Sequence, residues 1–515
     1  MKETPRQQGV TVIWLKRDLR LRDHAPLAYV AQQAQEKGAR VLLLYVYEPS
    51  VQCAPDWDER HGRFIWECLQ DMNANLAPFG QRVWVAQAEV LEVLQDLHRE
   101  LGLCELTAHE ETGTALTFQR DIAVRKWCRE AGVPFREFAQ TGVQRGLKHR
   151  KTWRKDFAQQ AYAPLKTVNL AQLTPPELPQ GLVERWFQPS LPSGYTHPQA
   201  AFQAGGESAA QEVLSSFLGE RAQGYMGAIS KPGPSREHCS RLSTYLAWGC
   251  LSTPQVMQAA DRAAAEHPAW KRQFTAFKSR VAWRSHFIQK FESEGRYEFE
   301  NLNRAFDQLD REHKPEWVRR WAEGETGFPL VDACMRSLHA TGYLNFRMRA
   351  LLTCVLAHHL WQPWQAGAHV LARYFLDYEP GIHYTQLQMQ AGTVGTHTLR
   401  IYNPLKQSQE HDPQGRFIHE WVPELRKLEP PYVHAPWRMS PLEQGFHHFQ
   451  INRDYPAPLV EPEPAARQAR DKVWSIKNSP AARRESRRIL ARHSHPNRGP
   501  QEWAEVAEGP SLFES

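Results

Sequence analysis

Two hydrophobic patterns alternate over the first 138 residues. Near-continuous apolar runs occur at Val10–Leu15, Val41–Tyr47, Arg82–Ala86, Glu105–His109 and Val133–Phe138. Between them apolar residues recur with helical period, as in Trp57–Leu76 and Ala115–Ala131. Strands apolar on both faces, separated by helices, predict a doubly wound parallel α/β sheet over 1–138. Such a sheet places ligands at the carboxyl ends of its strands. From 139 to 205 the periodicity fails and prolines gather (Pro164, Pro175, Pro176, Pro179, Pro189, Pro192, Pro198), so a long interdomain linker packed on the surface is expected. Beyond 206 strand patterns disappear. Helical patterns follow at Ala209–Ala222, Thr253–Glu266, Thr275–Glu292, Pro329–Thr341, Phe346–His359 and Gly367–Leu376. These predict an all-α domain over 206–480. The polar tail 481–515 holds a basic helical stretch, AARRESRRILARH, and is expected to be partly disordered.

Composition narrows the class. Of 515 residues, 41% are hydrophobic and 23% charged, the balance of an ordinary folded chain rather than a disordered or fibrous one. No apolar run approaches the ~18–20 residues of a membrane span. The opening MKETPRQQGV lacks the apolar core of a secretory signal, and a cytoplasmic protein is expected. The eight cysteines stand singly in apolar segments without a C-x-x-C pair. They read as reduced core thiols, and no metal is expected. A formal charge of +6 fits a local basic patch better than a globally cationic binder. Eighteen tryptophans fit either large-area core packing or a chain that handles light, electrons or stacked bases.

Several familiar chemistries are missing. The first strand–helix junction, WLKRDLRLRDHAPL, has no glycine to let the backbone approach a pyrophosphate. There is no G-x-S-x-G elbow and no P-loop. His358–His359 and His447–His448 are adjacent pairs, which a regular helix cannot aim at one metal. Three segments carry candidate chemistry. RGLKHRKTWRK (Arg145–Lys155) is either a solvated charged face or a phosphate-contacting stripe with an aromatic alongside. CSRLS (Cys239–Ser243) is either an ordinary helix cap or an anion-holding helix start. Arg349 and Asp377 lie on neighbouring helical segments, as a structural ion pair or as part of a pocket. The stretch LDYEPGIHYTQLQMQAG around Asp377 is unusually polar for a bundle interior.

With these segments laid out, the chain resembles the photolyase/cryptochrome family over most of its length. The resemblance is carried by TVIWLKRDLRLRDHAPL, CSRLSTYLAWGCLS, WAEGETGFPLVDACMRSLHATGYLNFRMRA and RIYNPLKQSQEHDPQGRFIHEWVPEL, long strings in the right order. It implies an α/β domain, a linker and a helical domain that binds FAD. It also implies an enzyme of the deoxyribodipyrimidine photo-lyase kind: excited reduced FAD passes an electron to a pyrimidine lesion flipped out of UV-damaged DNA. Carried over by position, Tyr225, Ser240, Arg241, Leu242 and Ser243 would line the flavin phosphates and ribityl chain. Trp283 and Arg284 would sit beside lesion and flavin. Arg349 and Asp377 would pair near the isoalloxazine ring, with Glu379 among the flavin-binding residues. Arg145, Lys148, Arg150, Arg154 and Arg400 would lie near DNA phosphates. A second, light-harvesting chromophore, a folate or a deazaflavin, is common in the α/β domain of the family. HEETGTALTFQRD reads either as part of such a pocket or as an ordinary strand–loop–helix junction. A monomer is expected.

The chain departs from the family at four positions. His383 aligns where many members carry Asn opposite the flavin N5, and an imidazole there would donate a proton or a hydrogen bond. Leu387 replaces the flavin-proximal Trp of the usual electron-transfer chain. Trp364 retains the middle Trp, and Arg311 stands at the outer position, near Trp317. The three-Trp route is therefore expected to be broken, with Tyr384 or Trp361 as replacements. Arg280 stands where dimer photolyases carry a Glu that bonds the damaged bases, and a guanidinium accepts no hydrogen bond. These departures support an alternative, a cryptochrome: a blue-light photoreceptor that signals through a partner without repair. The near-complete helical domain, the basic stripe and the lack of a long signalling tail favour repair.

Overall fold

The computed structural model describes residues 9–140 and 142–494. The chain forms two compact units. One contains the residues up to Gln144 with 155–215 and 242–260; the other contains 145–154, 216–241 and the residues from Asp261 onward.

The first unit is built on five parallel strands: β1 (Val10–Leu15), β2 (Arg40–Tyr47), β3 (Val83–Gln87), β4 (Leu103–His109) and β5 (Phe135–Phe138). Their order is β3–β2–β1–β4–β5, so the winding reverses at β1, whose residues are all buried. Helices α1 (Ala25–Lys37), α2 (Glu59–Leu76), α3 (Val90–Leu101) and α4 (Ala115–Glu130) connect the strands. This is the doubly wound sheet that the apolar runs predict.

The stretch expected as a linker differs from a surface crossover. Its residues 155–205 belong to the α/β unit, where Leu182 and Phe187 enter the sheet's core. Thr174 extends the hydrogen bonding of β2 by accepting from the Val41 amide at 2.8 Å. The phenolic oxygen of buried Tyr195 accepts a hydrogen bond from Trp57 Nε1 at 2.8 Å. The tyrosine ring occupies the space that a Cβ at Gly62 would fill. Prolines break the local period here, but aromatics spaced between them still find the core. Residues 145–154 belong to the helical unit.

The helical unit centres on a large apolar cluster that includes Trp321, Val331, Leu352, Trp364 and Tyr384. The helices that position the site are α5 (Lys271–Ser293), α6 (Phe346–Cys354), α7 (Trp364–Tyr374), α8 (Pro380–Gln390), α9 (Pro462–Lys477) and α10 (Pro480–His493). α5 buries Phe274, Phe277, Val281, Ile288 and Phe291, one face at helical spacing. α8 presses against it at Gly381, where a Cβ would come within 2.7 Å of Ile288 Cα. α6 runs into a π-helical turn, Val355–His359. The basic stretch of the expected tail is α10, capped by Ser479 and anchored by buried Ala482, Ile489 and His493. The expected disorder of 495–515 lies outside the described residues. No described helix is long and apolar enough to cross a membrane.

Candidate functional site

The α7–α8 junction gathers the polar residues that the sequence singles out. Glu379 is the extended residue before Pro380, which starts α8. Its carboxylate accepts from Arg284 Nη2 on α5 at 2.7 Å. Two residues earlier, Asp377 Oδ2 accepts from Arg349 Nη2 on α6 at 2.7 Å. Arg349 also donates from Nε to the Leu344 carbonyl at 2.7 Å and lies 4.0 Å from the centre of the Phe375 ring. Asp377 Oδ1 is buried and accepts no hydrogen bond among the described residues, and the same holds for Asn345 Oδ1. A buried carboxylate oxygen left open costs free energy unless a donor arrives.

His383, one turn into α8, lies 2.9 Å from the Ala368 carbonyl through Nε2. A carbonyl only accepts, so Nε2 carries the proton and Nδ1 of the neutral ring is an acceptor. The expected donation from His383 thus requires either the imidazolium or a break of the Ala368 contact. Tyr378 and Tyr384 pack edge-on to its ring, with centroids at 5.2 and 5.1 Å. Tyr384 also stacks on Phe291 at 5.8 Å and meets Trp364 at 6.3 Å. Trp364 Nε1 donates to Asn301 Oδ1 at 2.9 Å. Leu387 is buried in the apolar cluster. Arg311, expected at the outer Trp position, is held under Trp361 at 5.0 Å, and burial lowers its pKa to about 10.

Beside this junction lies a cavity of about 530 Å³. Trp283, Phe287 and Lys290 line it from a second edge of α5, at positions i, i+4 and i+7. Met389 closes it from α8, Arg400 and Tyr402 from the following segment, and Phe346 from α6. Arg280 sits 4.7 Å over the Trp283 ring. α10 supplies the remaining wall through Ile489, Leu490 and His493. Glu294 is the acidic anchor of that helix's last turns. Glu294 accepts from Arg488 at 3.0 Å and from His493 at 2.8 Å. Burial would raise its pKa, but the bonds from His493 and Arg296 hold it near 2. Sequence reasoning missed this wall. The signal was there, apolar Ala482 and Ile489 two turns apart, but arginines surround it.

The basic segment is less uniform than its sequence. Lys148 is exposed, Arg154 is half-buried, and Arg145 lies 3.9 Å from Glu292. Arg150 is 1% exposed, and its three nitrogens make no hydrogen bond among the described residues. Burial lowers its pKa to about 10. It therefore does not present a charge to a backbone phosphate. Of the CSRLS residues, Ser240 and left-handed Arg241 (φ 58°) lie in the helical unit with buried Tyr225, whereas Leu242 and Ser243 fall in the α/β unit. Arg221 donates to the Ser240 carbonyl at 3.3 Å, and Arg241 lies 3.7 Å from the Tyr343 ring. The adjacent histidines of the π turn serve the backbone: His358 Nε2 contacts the Gln390 carbonyl and His359 Nε2 the Tyr402 carbonyl, each at 2.9 Å.

The α/β unit has its own buried cluster. Asp18, His24 and His109 meet behind the end of β1, with ligand atoms close enough for a metal. Their hydrogen bonds argue for structure instead. His24 Nδ1 accepts from the Leu27 amide, so the neutral ring's proton sits on Nε2 and points at Asp18 Oδ2, 3.0 Å away. His109 Nδ1 meets the same oxygen at 2.8 Å, and the Lys16 amide fills Oδ1 at 2.7 Å. Burial pushes the Asp18 carboxyl up, but the two imidazoles outweigh it and hold it well below the usual range. Burial drives His109 down to about 3. In HEETGTALTFQRD, Arg120 bonds Glu48 and Glu111 at 2.7 Å each and Asp121 at 2.9 Å.

Comparisons with known proteins agree with this division. The family model described as DNA photolyase matches residues 11–177, and the FAD binding domain of DNA photolyase matches residues 277–475. A cryptochrome DASH of Gloeobacter violaceus is 29% identical over 87% of this chain and 93% of its own length. A deoxyribodipyrimidine photo-lyase of Vibrio cholerae is 28% identical over 87% and 96%. The crystal structure of a class III photolyase from Agrobacterium tumefaciens superposes with a TM-score of 0.77 at 24% identity, covering 93% of this chain and all of that one. At that identity the superposition speaks for the fold alone.

Proposed function

The chain belongs to the DNA photolyase and cryptochrome family, and from that premise we propose that it uses blue light absorbed by FAD to split pyrimidine lesions in UV-damaged DNA. Its helical unit matches an FAD-binding domain of the photolyase type. The α7–α8 junction fits that group. The open Asp377 Oδ1 lacks an N–H donor, which the imide of a flavin supplies. Arg349 and Arg284, tied to Asp377 and Glu379, add two cations suited to the negative charge of a reduced flavin. Tyr225, Ser240 and Arg241 are the helical unit's candidates for the FAD phosphates. FAD, when bound, supplies light absorption and electron chemistry.

The residues of the chain do the rest. Arg349 and Arg284 hold both carboxylates in position. His383 spends its Nε2–H on the Ala368 carbonyl, which fixes the ring's orientation. Trp283 and Met389 offer apolar surface against which an extruded base can pack. The observation that carries the reading is the cavity. At about 530 Å³ it has the size of a small-molecule pocket, with aromatic walls and the exposed Arg400 at its side. Lys148 and Arg154 of the basic segment, together with Arg400, are the proposed phosphate contacts; buried Arg150 is not. We place the enzyme in the cytoplasm as a monomer, where its eight unpaired cysteines suit a reducing compartment.

The test is light-dependent repair of defined oligonucleotides carrying a cyclobutane dimer or a (6-4) photoproduct, with protein reduced chemically beforehand. Repair of either lesion in light alone is expected. Failure on both, with FAD bound, favours the cryptochrome reading, for which Arg280 over Trp283 is the specific observation. Pigment extracted from the same protein decides the second chromophore: FAD alone, or FAD with a folate or deazaflavin.

A further inference from the structure

We propose that α10 carries a phosphate-binding strip, Arg483–Arg484–Arg487, that grips the DNA backbone next to the cavity. Arg483, Arg484 and Arg487 are exposed, and none makes a side-chain hydrogen bond or ion pair among the described residues. The other arginines of the helix are used internally. Arg488 bonds Glu294 and Glu485, and Arg492 donates to the Ser293 carbonyl. The helix thus separates cations that hold it down from cations that face outward.

The position of the strip is set by helical geometry. Leu490, which lines the cavity, follows Arg487 by three residues and Arg483 by seven. Those spacings put all three on one edge of the helix, so the cationic strip begins where the cavity wall ends. Arg483 and Arg487 are four residue steps apart, about 6 Å of helix axis. That length faces about two phosphates of one strand, at ~3.4 Å per charge. The opposite face is committed to the protein core through Ala482, Ile489 and His493. The helix therefore has no apolar face left for a lipid surface, which an interfacial helix requires. Its register is fixed from both sides: Asn303 donates to the Ala482 carbonyl at 3.1 Å, and Glu294 holds its last turn. A rigid helix with three free guanidinium groups beside a base-sized cavity fits a duplex whose extruded base enters that cavity. The inference rests on the repair reading for the identity of the polyanion.

The experiment uses the full chain with FAD bound and undamaged duplex DNA, titrated between 50 and 200 mM salt. Arg483→Ala/Arg484→Ala/Arg487→Ala is expected to lower the slope of log K against log salt by about 2, roughly 0.9 for each of the two lost phosphate contacts. Alanine is the best helix former, and all three sites face solvent, so flavin content should not change. The matching triple Arg→Lys variant should restore the slope, because phosphate neutralisation needs the charge and not the fork. An unchanged slope in the alanine variant, with wild type binding DNA, overturns the strip and leaves the repair reading standing. Failure of the wild type to bind duplex at all also overturns the strip, and repair of the lesion-bearing oligonucleotides decides the repair reading separately.

Discussion

Each unit buries a cluster of charge, and the two clusters follow opposite rules. In the α/β unit the cluster around Asp18 and the one around Arg120 are filled by partners. Asp18 takes two imidazoles and an amide, and Arg120 spans Glu48, Glu111 and Asp121. In the helical unit the pairing stops short. Asp377 has one oxygen filled and one open, Asn345 has an open carbonyl, and Arg150 has three open nitrogens. A closed network is a structural device that fixes a chain turn. An open one holds polar groups at a cost that only a ligand or a functional motion offsets. Burial and charge look alike in both places, and the unfilled valences separate them.

The strongest way to break this contrast is Asp18→Ala. It strands two buried imidazoles and the Lys16 amide, at an expected cost of about 3–5 kcal/mol. Thermal unfolding should shift down by about 10 °C. An unmoved midpoint would mean the cluster does not hold the fold. The pH dependence has a definite sign. Unfolded histidines titrate near 6.5, whereas His109 titrates near 3 in the fold and His24 is also lowered. Between those values the unfolded chain binds the extra protons, so stability falls as pH drops from about 6.5 towards 3. Asp18, ionised in the fold, loses its own contribution once pH passes below its unfolded value near 4.

On the open side, Asp377→Asn should weaken FAD retention about tenfold, equivalent to ~1.4 kcal/mol. The flavin-to-protein absorbance ratio after dialysis reads it, and an unchanged ratio denies the open oxygen its ligand. Arg150→Met comes next. Replacing an unpartnered buried cation by an apolar chain of similar length should raise stability by about 1 kcal/mol. Lost stability or weaker duplex binding would instead show that the guanidinium serves a ligand. The smallest effect is expected at Tyr384→Phe, between His383 and Trp364. It should slow photoreduction of oxidised protein several-fold and leave repair by chemically reduced protein unchanged.

The fold was largely legible because local forces write local patterns. Val10–Leu15, Thr253–Glu266 and Pro329–Thr341 have the same bounds in sequence and structure, the last stopped by Gly342 in the left-handed region. Half of the site was legible as well. The Arg349–Asp377 pair follows from a cation and an unusually polar stretch on neighbouring helical segments. What periodicity cannot report is which atom of a pair stays open, since that depends on a third residue far away in sequence. The same limit hid α10. Its inner face lines the same cavity as Trp283 and Phe287, some 200 residues away in sequence. Nothing near Arg150 in sequence distinguishes it from exposed Lys148, yet it lies among Trp153, Tyr297 and His493.

The π turn at Val355–His359 has a consequence for how the chain tolerates change. It takes one residue more than an α turn would, and it lets two consecutive imidazoles reach the carbonyls of Gln390 and Tyr402. Those two residues bracket the loop that brings Arg400 to the cavity. Deleting any one residue of the turn would restore regular winding and swing the later histidine away by about 100°. The loop would then be moored at one end only. Codon loss there would reach the cavity without touching any residue that lines it.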